Sequence, residues 1–247
     1  QVAHRTSPTN IGMMLLSVLS ARDLNFIDSQ AMAEQIGHTL NTVERLEKFH
    51  GNLYNWYHTK TLHILEPQYV STVDSGNFVC ALVALKEGLK EYIGECGAIR
   101  ELISRAERLI DETDLSVFYD KNKNLFSIGY DPKTERLSES CYDMLMSEAR
   151  MTSYFAIAKR QVPLKHWSAL GRMLARLNFY TGPLSWTGTM FEYYMPELLL
   201  DCIEGSLGYE GLQFCLYCQK HSAHQKGIPF GVSESGYYAF DTKLNYQ

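Results

Sequence analysis

The chain lacks any apolar run long enough to cross a bilayer: its longest, Ile11 to Leu19, is about half of the ~20 residues a spanning helix needs. It also lacks a basic stripe. Its 23 Lys and Arg are scattered and outnumbered by 28 Asp and Glu, for a net charge of −5, which argues against a nucleic-acid partner. Cysteine is sparse and irregular, at positions 80, 96, 141, 202, 215 and 218. Without an evenly spaced framework or an opening signal peptide, a reduced compartment is expected rather than a disulfide-stapled fold. The lone CxxC, Cys215 to Cys218, has no second pair and no strand-before-helix context, so it reads as structural thiols. His221 and His224 have no Glu between them in the pattern that holds zinc, and nothing else asks for a metal or another cofactor. No Pro/Gly/Ser-rich linker divides the chain, so one domain over residues 1–247 is expected. The absence of an initial Met and of a natural terminus signal after Asn245-Tyr246-Gln247 suggests that this domain is cut short at its C-terminus.

What is present is helical periodicity. Thr6-Ser7-Pro8-Thr9 has the hydroxyls and early proline of a helix entry, and Ile11, Leu15, Val18 and Leu19 follow at helical spacing. Asp28 or Ser29 caps a second helix with Met32, Ile36, Leu40, Val43 and Leu46 as its apolar stripe. Further helices are predicted from Val73 to Leu89, Ala98 to Asp111, Ser138 to Lys159, Trp186 to Cys202 and Leu207 to His221. Leu115–Asp120 and Leu125–Tyr130 alternate around Lys121-Asn122-Lys123-Asn124 like a hairpin, and Ile228–Val232 and Tyr237–Phe240 look extended. Seven or eight helices without a βαβ rhythm imply an all-α fold of paired helices, a toroid in the making, with a small β-hairpin insertion.

Two carboxylates stand out because each lies in a polar stretch flanked by aromatics. Ser147-Glu148-Ala149-Arg150 carries one and Ser233-Glu234-Ser235 the other, 86 residues apart. Two carboxyl groups converging on a cleft are the minimum machinery for breaking and remaking a glycosidic bond. Read from position alone, Glu148 is either an exposed residue of a long helix or a half-buried one, and Glu234 is a loop carboxylate. Arg150 suits the tuning of a nearby carboxylate, since a close cation lowers a carboxyl pKa. Asp74 reads equally as a helix cap. Trp56, Tyr57 and Trp186 are sugar-stacking candidates, with core packing as the alternative; Tyr54 is expected to border the same groove. The loop Gly51 to Tyr57 is unusually aromatic for a connection.

Several ordered motifs carry a resemblance. Thr6-Ser7-Pro8-Thr9-Asn10-Ile11-Gly12, Tyr54-Asn55-Trp56-Tyr57, Val73-Asp74-Ser75-Gly76-Asn77 and Leu125-Phe126-Ser127-Ile128-Gly129-Tyr130 are followed in order by five more. These are Ser147-Glu148-Ala149-Arg150, Phe155-Ala156-Ile157-Ala158-Lys159, His166-Trp167, Trp186 to Tyr193 and Ser233-Glu234-Ser235. Together they resemble the glycoamylase-like middle domain of cyclic β-1,2-glucan synthases, over essentially the whole chain. The resemblance implies a partial (α/α)6 toroid that cyclises linear β-1,2-glucan by transglycosylation. Glu148 is then the general acid/base and Glu234 the nucleophile. Tyr54, Trp56, Tyr57, Asp74, Arg150, Trp186 and Glu192 are expected to bind substrate or support the pair. It also implies partner domains within a larger synthase at the cytoplasmic side of a bacterial inner membrane, into which this chain does not itself insert. An endo-β-1,2-glucanase and a non-catalytic glucan-binding fragment are the competing readings.

Overall fold

The first helix starts where its capping residues demand. In the computed structural model, which describes residues 4–233, Ser7 accepts a hydrogen bond from the Asn10 amide and Pro8 opens the helix. The chain divides into two units, one of Gln1–Asp143 with Met151–Leu170, the other of Met144–Arg150 with Gly171–Gln247.

The first unit runs β1 (Arg5–Thr6), α1 (Pro8–Asp23), α2 (Ser29–Arg45), β2 (Lys48–Phe49), β3 (Asn52–Leu53), β4 (Tyr57–His58), β5 (Val70–Ser71) and α3 (Thr72–Leu89). It continues through α4 (Ile99–Glu112), β6 (Tyr119–Asp120), β7 (Leu125–Ser127), β8 (Gly129–Asp131), β9 (Arg136–Leu137), β10 (Cys141–Tyr142), α5 (Arg150–Ala158, its first residue belonging to the other unit) and α6 (Lys165–Ala169). Asp28 caps α2, accepting from the Ala31 amide, and the stripe Met32, Ile36, Leu40, Val43 and Leu46 is buried as its periodicity requires. Helices α1, α3 and α5 approach closely through small residues. A side chain on Gly12 would meet Ala81 Cβ at 2.9 Å, and one on Gly76 would meet Thr152 Oγ1 at 1.7 Å. The core they enclose includes Leu15, Ile36, Leu40, Leu82, Leu85, Ile99, Phe118 and Phe126.

The second unit adds the hairpin β11 (Leu174–Leu177) with β12 (Tyr180–Pro183), then α7 (Met190–Tyr194) and α8 (Leu207–Lys226). Its smaller core gathers Met146, Tyr193, Leu212 and Cys215. The CxxC cysteines lie on α8; burial pushes the Cys215 thiol up to about 12 and raises Cys218 as well, which suits packing rather than nucleophilic chemistry.

The hairpin expected near residue 120 forms, with Tyr119 opposite Phe126 and Asp120 opposite Leu125. Elsewhere the all-α expectation needs correction. About half of the described residues are helical, and twelve short strands among them make five antiparallel sheets rather than one insertion. The predicted helix from Ser138 to Lys159 is largely absent. Its first half extends the β-structure instead, with Ser138 N–H bonding Gly129 O and Cys141–Tyr142 pairing with β7, so the helix begins only at Arg150. The predicted helix from Trp186 to Cys202 also shortens. Thr189 and Glu192 form a capping box that starts α7 at Met190, and Pro196 shifts the chain into a 3-10 turn, Met195–Leu198. Ile228–Val232 forms no strand, and Tyr237–Phe240 lies outside the described residues.

Candidate active site

Glu148 stands on a turn, not inside a helix. The turn is assembled by backbone bonds. Leu145 N–H donates to Gly171 O at 3.0 Å, Ser147 N–H to Leu145 O at 3.1 Å and Arg150 N–H to Ser147 O at 3.1 Å. Ser147 Oγ accepts from the Ala149 amide at 3.2 Å, a serine turn that tightens the chain ahead of α5, and lies 3.4 Å from Glu148 Oε2. Glu148 is half-buried, whereas Ser147, Ala149 and Arg150 around it are buried.

Arg150 anchors the turn from below. It is 4% exposed, and its Nη2 pairs with Glu197 Oε1 at 3.1 Å while Nη1 lies 3.6 Å from Met146 Sδ. Glu197 also accepts the Cys202 amide at 3.0 Å. The carboxylate that Arg150 serves is therefore Glu197, a residue with no motif or periodic signal to mark it in the sequence.

Glu192 is buried inside its own loop. Its carboxylate accepts from Ser185 Oγ at 2.9 Å, Thr187 Oγ1 at 2.6 Å, and the Thr187 and Thr189 amides at 3.0 and 3.3 Å. Burial by itself raises its pKa, but these hydroxyl and amide donors outweigh burial and hold the group below the usual carboxylate range. With its acceptor positions used in this way, Glu192 ties down the residues on either side of Trp186. That indole is 48% exposed at the tip of the loop.

A second cluster lies in the first unit and joins three of the sequence motifs. Asp74 accepts a hydrogen bond from Thr9 Oγ1 at 2.6 Å, and Asn77 Nδ2 donates to the same Thr9 oxygen at 3.1 Å. The Asn55 amide, oriented by its hydrogen bonds, donates to Asp74 Oδ2 at 2.8 Å and accepts from Trp56 Nε1 at 3.2 Å. Arg5 lies over the Trp56 ring, 4.5 Å from its centroid. The helix-cap alternative for Asp74 is corrected here: Ser71 caps α3 and accepts from the Asp74 amide, leaving the carboxylate for Thr9 and Asn55.

Tyr57 departs from the sugar-stacking expectation, and Tyr54 from that of bordering the groove. Tyr57 is 1% exposed; its hydroxyl donates to Glu47 O at 2.6 Å and accepts from the Tyr54 amide at 2.8 Å. Tyr54 is buried edge-on against it. Neither ring has a face free for a ligand; strand β4, paired with β1, turns Tyr57 into the core. Glu234, the second carboxylate, lies outside the described residues. Within the described residues, Trp56, Asn55 and Asp74 are brought together in one unit, and Glu148, Arg150, Trp186 and Glu192 belong to the other.

The same architecture occurs in solved helical glycan enzymes. An endo-β-1,2-glucanase from Chitinophaga pinensis, in complex with sophorotriose and glucose, superposes with a TM-score of 0.81 at 13% identity, over 98% of this chain and 63% of that one. An endo-β-1,2-glucanase from Talaromyces funiculosus, in complex with sophorose, gives 0.78 at 12% identity, over 98% of this chain and 57% of that one. Residues 2–178 match the family described as protein of unknown function DUF3131, and the chain belongs to that family. Among curated proteins it is similar to cyclic β-(1,2)-glucan synthase NdvB of Rhizobium meliloti (strain 1021), at 27% identity over 368 aligned residues. All of this chain aligns, but it spans only 13% of that relative.

Proposed function

We propose that this chain transfers glycosyl units on β-1,2-glucan by a retaining two-carboxylate mechanism, closing linear chains into rings. The observation that carries the reading is the Glu148 turn. A half-buried carboxylate is presented by backbone bonds and by the pair of buried Arg150 with half-buried Glu197, the rigid support a catalytic acid needs. Similarity along the whole chain to a cyclic β-(1,2)-glucan synthase supports the substrate.

In this reading Glu148 protonates the glycosidic oxygen as Glu234 attacks the anomeric carbon, forming a glycosyl-enzyme and releasing the far portion of the chain. The hydroxyl at the glucan's own other end then attacks the anomeric carbon, Glu148 takes its proton, and Glu234 leaves. The ring closes with the β configuration restored. Trp186, in the same unit as Glu148, offers a stacking face to a glucosyl ring. The chain acts as one domain of a larger synthase at the cytoplasmic side of a bacterial inner membrane. Among the described residues no helix is long and apolar enough to cross a membrane, so neighbouring parts of the synthase supply the anchor.

Hydrolysis is the second reading, favoured by fold neighbours that are endo-β-1,2-glucanases. Water instead of a sugar hydroxyl then accepts the glycosyl unit. Incubating the chain with linear β-1,2-glucan separates the two: rings support transglycosylation, shortened linear chains support hydrolysis, and unchanged substrate contradicts both.

A further inference from the structure

The turn that joins β11 to β12 carries a phenyl ring where a polar residue is expected. Leu177 pairs with Tyr180, so Asn178 and Phe179 are the two loop residues, and such positions favour Gly, Asn, Asp and Ser. Asn178, at φ +55°, meets that demand; Phe179 does not, and it is 79% exposed. The turn is nonetheless held in place. Asn178 Nδ2 donates to the Tyr217 hydroxyl at 3.0 Å, and Arg176 Nε donates to Asn178 O at 2.7 Å.

Phe179 is the outer end of an aromatic strip. Its ring centroid lies 5.8 Å from that of Tyr217 on α8, which stacks with Tyr180 at 5.5 Å and with His221 at 6.2 Å. Tyr180 also stacks on buried Phe214, at 5.8 Å with 13° between the planes. The strand comes this close to α8 because residue 182 is glycine: a Cβ there would meet Phe214 Cβ at 2.3 Å. Tyr180, Tyr217 and His221 are half-buried, and their polar edges are tied within the protein. Tyr180 donates to Glu210 at 3.2 Å, and His221 is bonded to Gln225 at 3.0 Å. The rings are therefore fixed before any ligand arrives, which lowers the ordering cost of binding.

We propose that this strip binds a stretch of β-1,2-glucan, with Phe179 as its outermost stacking face. The inference rests on β-1,2-glucan being the substrate. A β-glucosyl ring carries its hydroxyls equatorially, so its faces present C–H groups that stack on an aromatic ring while its rim seeks hydrogen bonds. Asn178, Glu210 and Gln225 stand at the edges of the strip and supply donors and acceptors for that rim. The charged side chains bonded into it, Arg176 and Glu210, are one of each sign, which suits a neutral chain better than an anionic one. The strip is built from β11, β12, their turn and α8, elements that carry neither Glu148 nor Trp186.

The test is Phe179→Ser, which gives the turn a residue it ordinarily takes and so keeps the fold, with Phe179→Trp as a second variant that enlarges the face. Binding of linear β-1,2-glucan is followed by calorimetry in a Glu148→Gln background, so that the ligand is not consumed. Losing one stacking face should raise Kd about fivefold in Phe179→Ser, while Phe179→Trp binds at least as tightly as the parent. The Phe179 ring resonances, identified by their loss in Phe179→Ser, should shift when glucan is added. Glucan binding that Phe179→Ser leaves unchanged, or ring signals that do not move, overturns the inference. So does a dimer, seen by sedimentation, that Phe179→Ser dissociates without changing glucan affinity, since the face then belongs to a second copy of the chain. A wild-type chain that binds glucan through Phe179 but never turns it over overturns the functional reading alone, and one that binds no glucan overturns both.

Discussion

Replacing Gly76 by Ala tests the packing of the first unit with a sign opposite to the ordinary one. In a helix interior the change normally gains about 1 kcal/mol, because alanine loses less backbone freedom. Here the added methyl would lie 1.7 Å from Thr152 Oγ1, 2.5 Å from its Cβ and 2.8 Å from its Cγ2. Rotating Thr152 cannot relieve the Cβ contact, so α3 and α5 must separate. Overpacking of this kind costs about 1–3 kcal/mol and sometimes more. Since Cβ leaves no rotamer escape, the upper end applies, and the net effect is a destabilisation of about 2 kcal/mol after the propensity gain. Thr152→Ala should be near neutral alone, because its buried hydroxyl has no hydrogen-bond partner among the described residues. Combined with Gly76→Ala it should recover about half the loss, the Thr152 Cβ being left behind, which a double-mutant cycle reads as coupling of about 1 kcal/mol. Urea unfolding followed by far-UV circular dichroism, at constant m, gives all four values. A Gly76→Ala chain as stable as wild type, or more so, refutes the close approach of α3 to α5.

Other outcomes follow from the same geometry. Glu197→Gln leaves the Arg150 guanidinium, 4% exposed, without its counter-charge. Because Glu197 is itself 20% exposed, the loss in urea unfolding should be about 2 kcal/mol rather than the 3–5 of a fully enclosed pair, and glucan turnover should fall with it. His166 is buried between Tyr119 and Phe126, with its ring nitrogens on Asn124 O and Ser153 Oγ, and burial holds its pKa below the ordinary imidazole value. The unfolded chain then binds the extra proton first. Stability is full above about pH 6.5 and falls as pH drops below it, a slope that His166→Gln should remove from a pH series of unfolding midpoints. Trp186→Ala deletes an exposed face worth about 1 kcal/mol of stacking; KM for the glucan should rise about fivefold with the unfolding midpoint unchanged.

The helices of the first unit were legible because local signals and burial agree there. Ser7 and Asp28 cap the helices they announce, and the α2 stripe is apolar in the sequence and buried in the fold. The segment from Ser138 to Met151 misled for a physical reason. Its apolar residues Cys141, Met144, Leu145 and Met151 are spaced like a helix face, but the β7 edge offers Cys141 and Tyr142 partners that a local reading cannot see. Tyr57 shows the same limit in a side chain: the polar, aromatic motif around it does not reveal that its hydroxyl closes a turn inside the core. Asp74 was marked by its motif, yet its partners Thr9 and Asn55 arrive from segments 65 and 19 residues away in sequence. Glu197 carries no sequence signal at all, since a lone carboxylate on a helix is ordinarily solvated.

The measurement closest to the central claim is azide rescue. A retaining enzyme stripped of its nucleophile lets azide attack the anomeric carbon once from the opposite face, while the acid still protonates the leaving oxygen. Glu234→Ala incubated with linear β-1,2-glucan and azide should therefore regain cleavage and yield a glucosyl azide of inverted, α configuration, identifiable by its anomeric NMR coupling. An α-azide from Glu148→Ala instead would contradict the assignment of roles, and no azide product from either variant would contradict the two-carboxylate retaining mechanism itself.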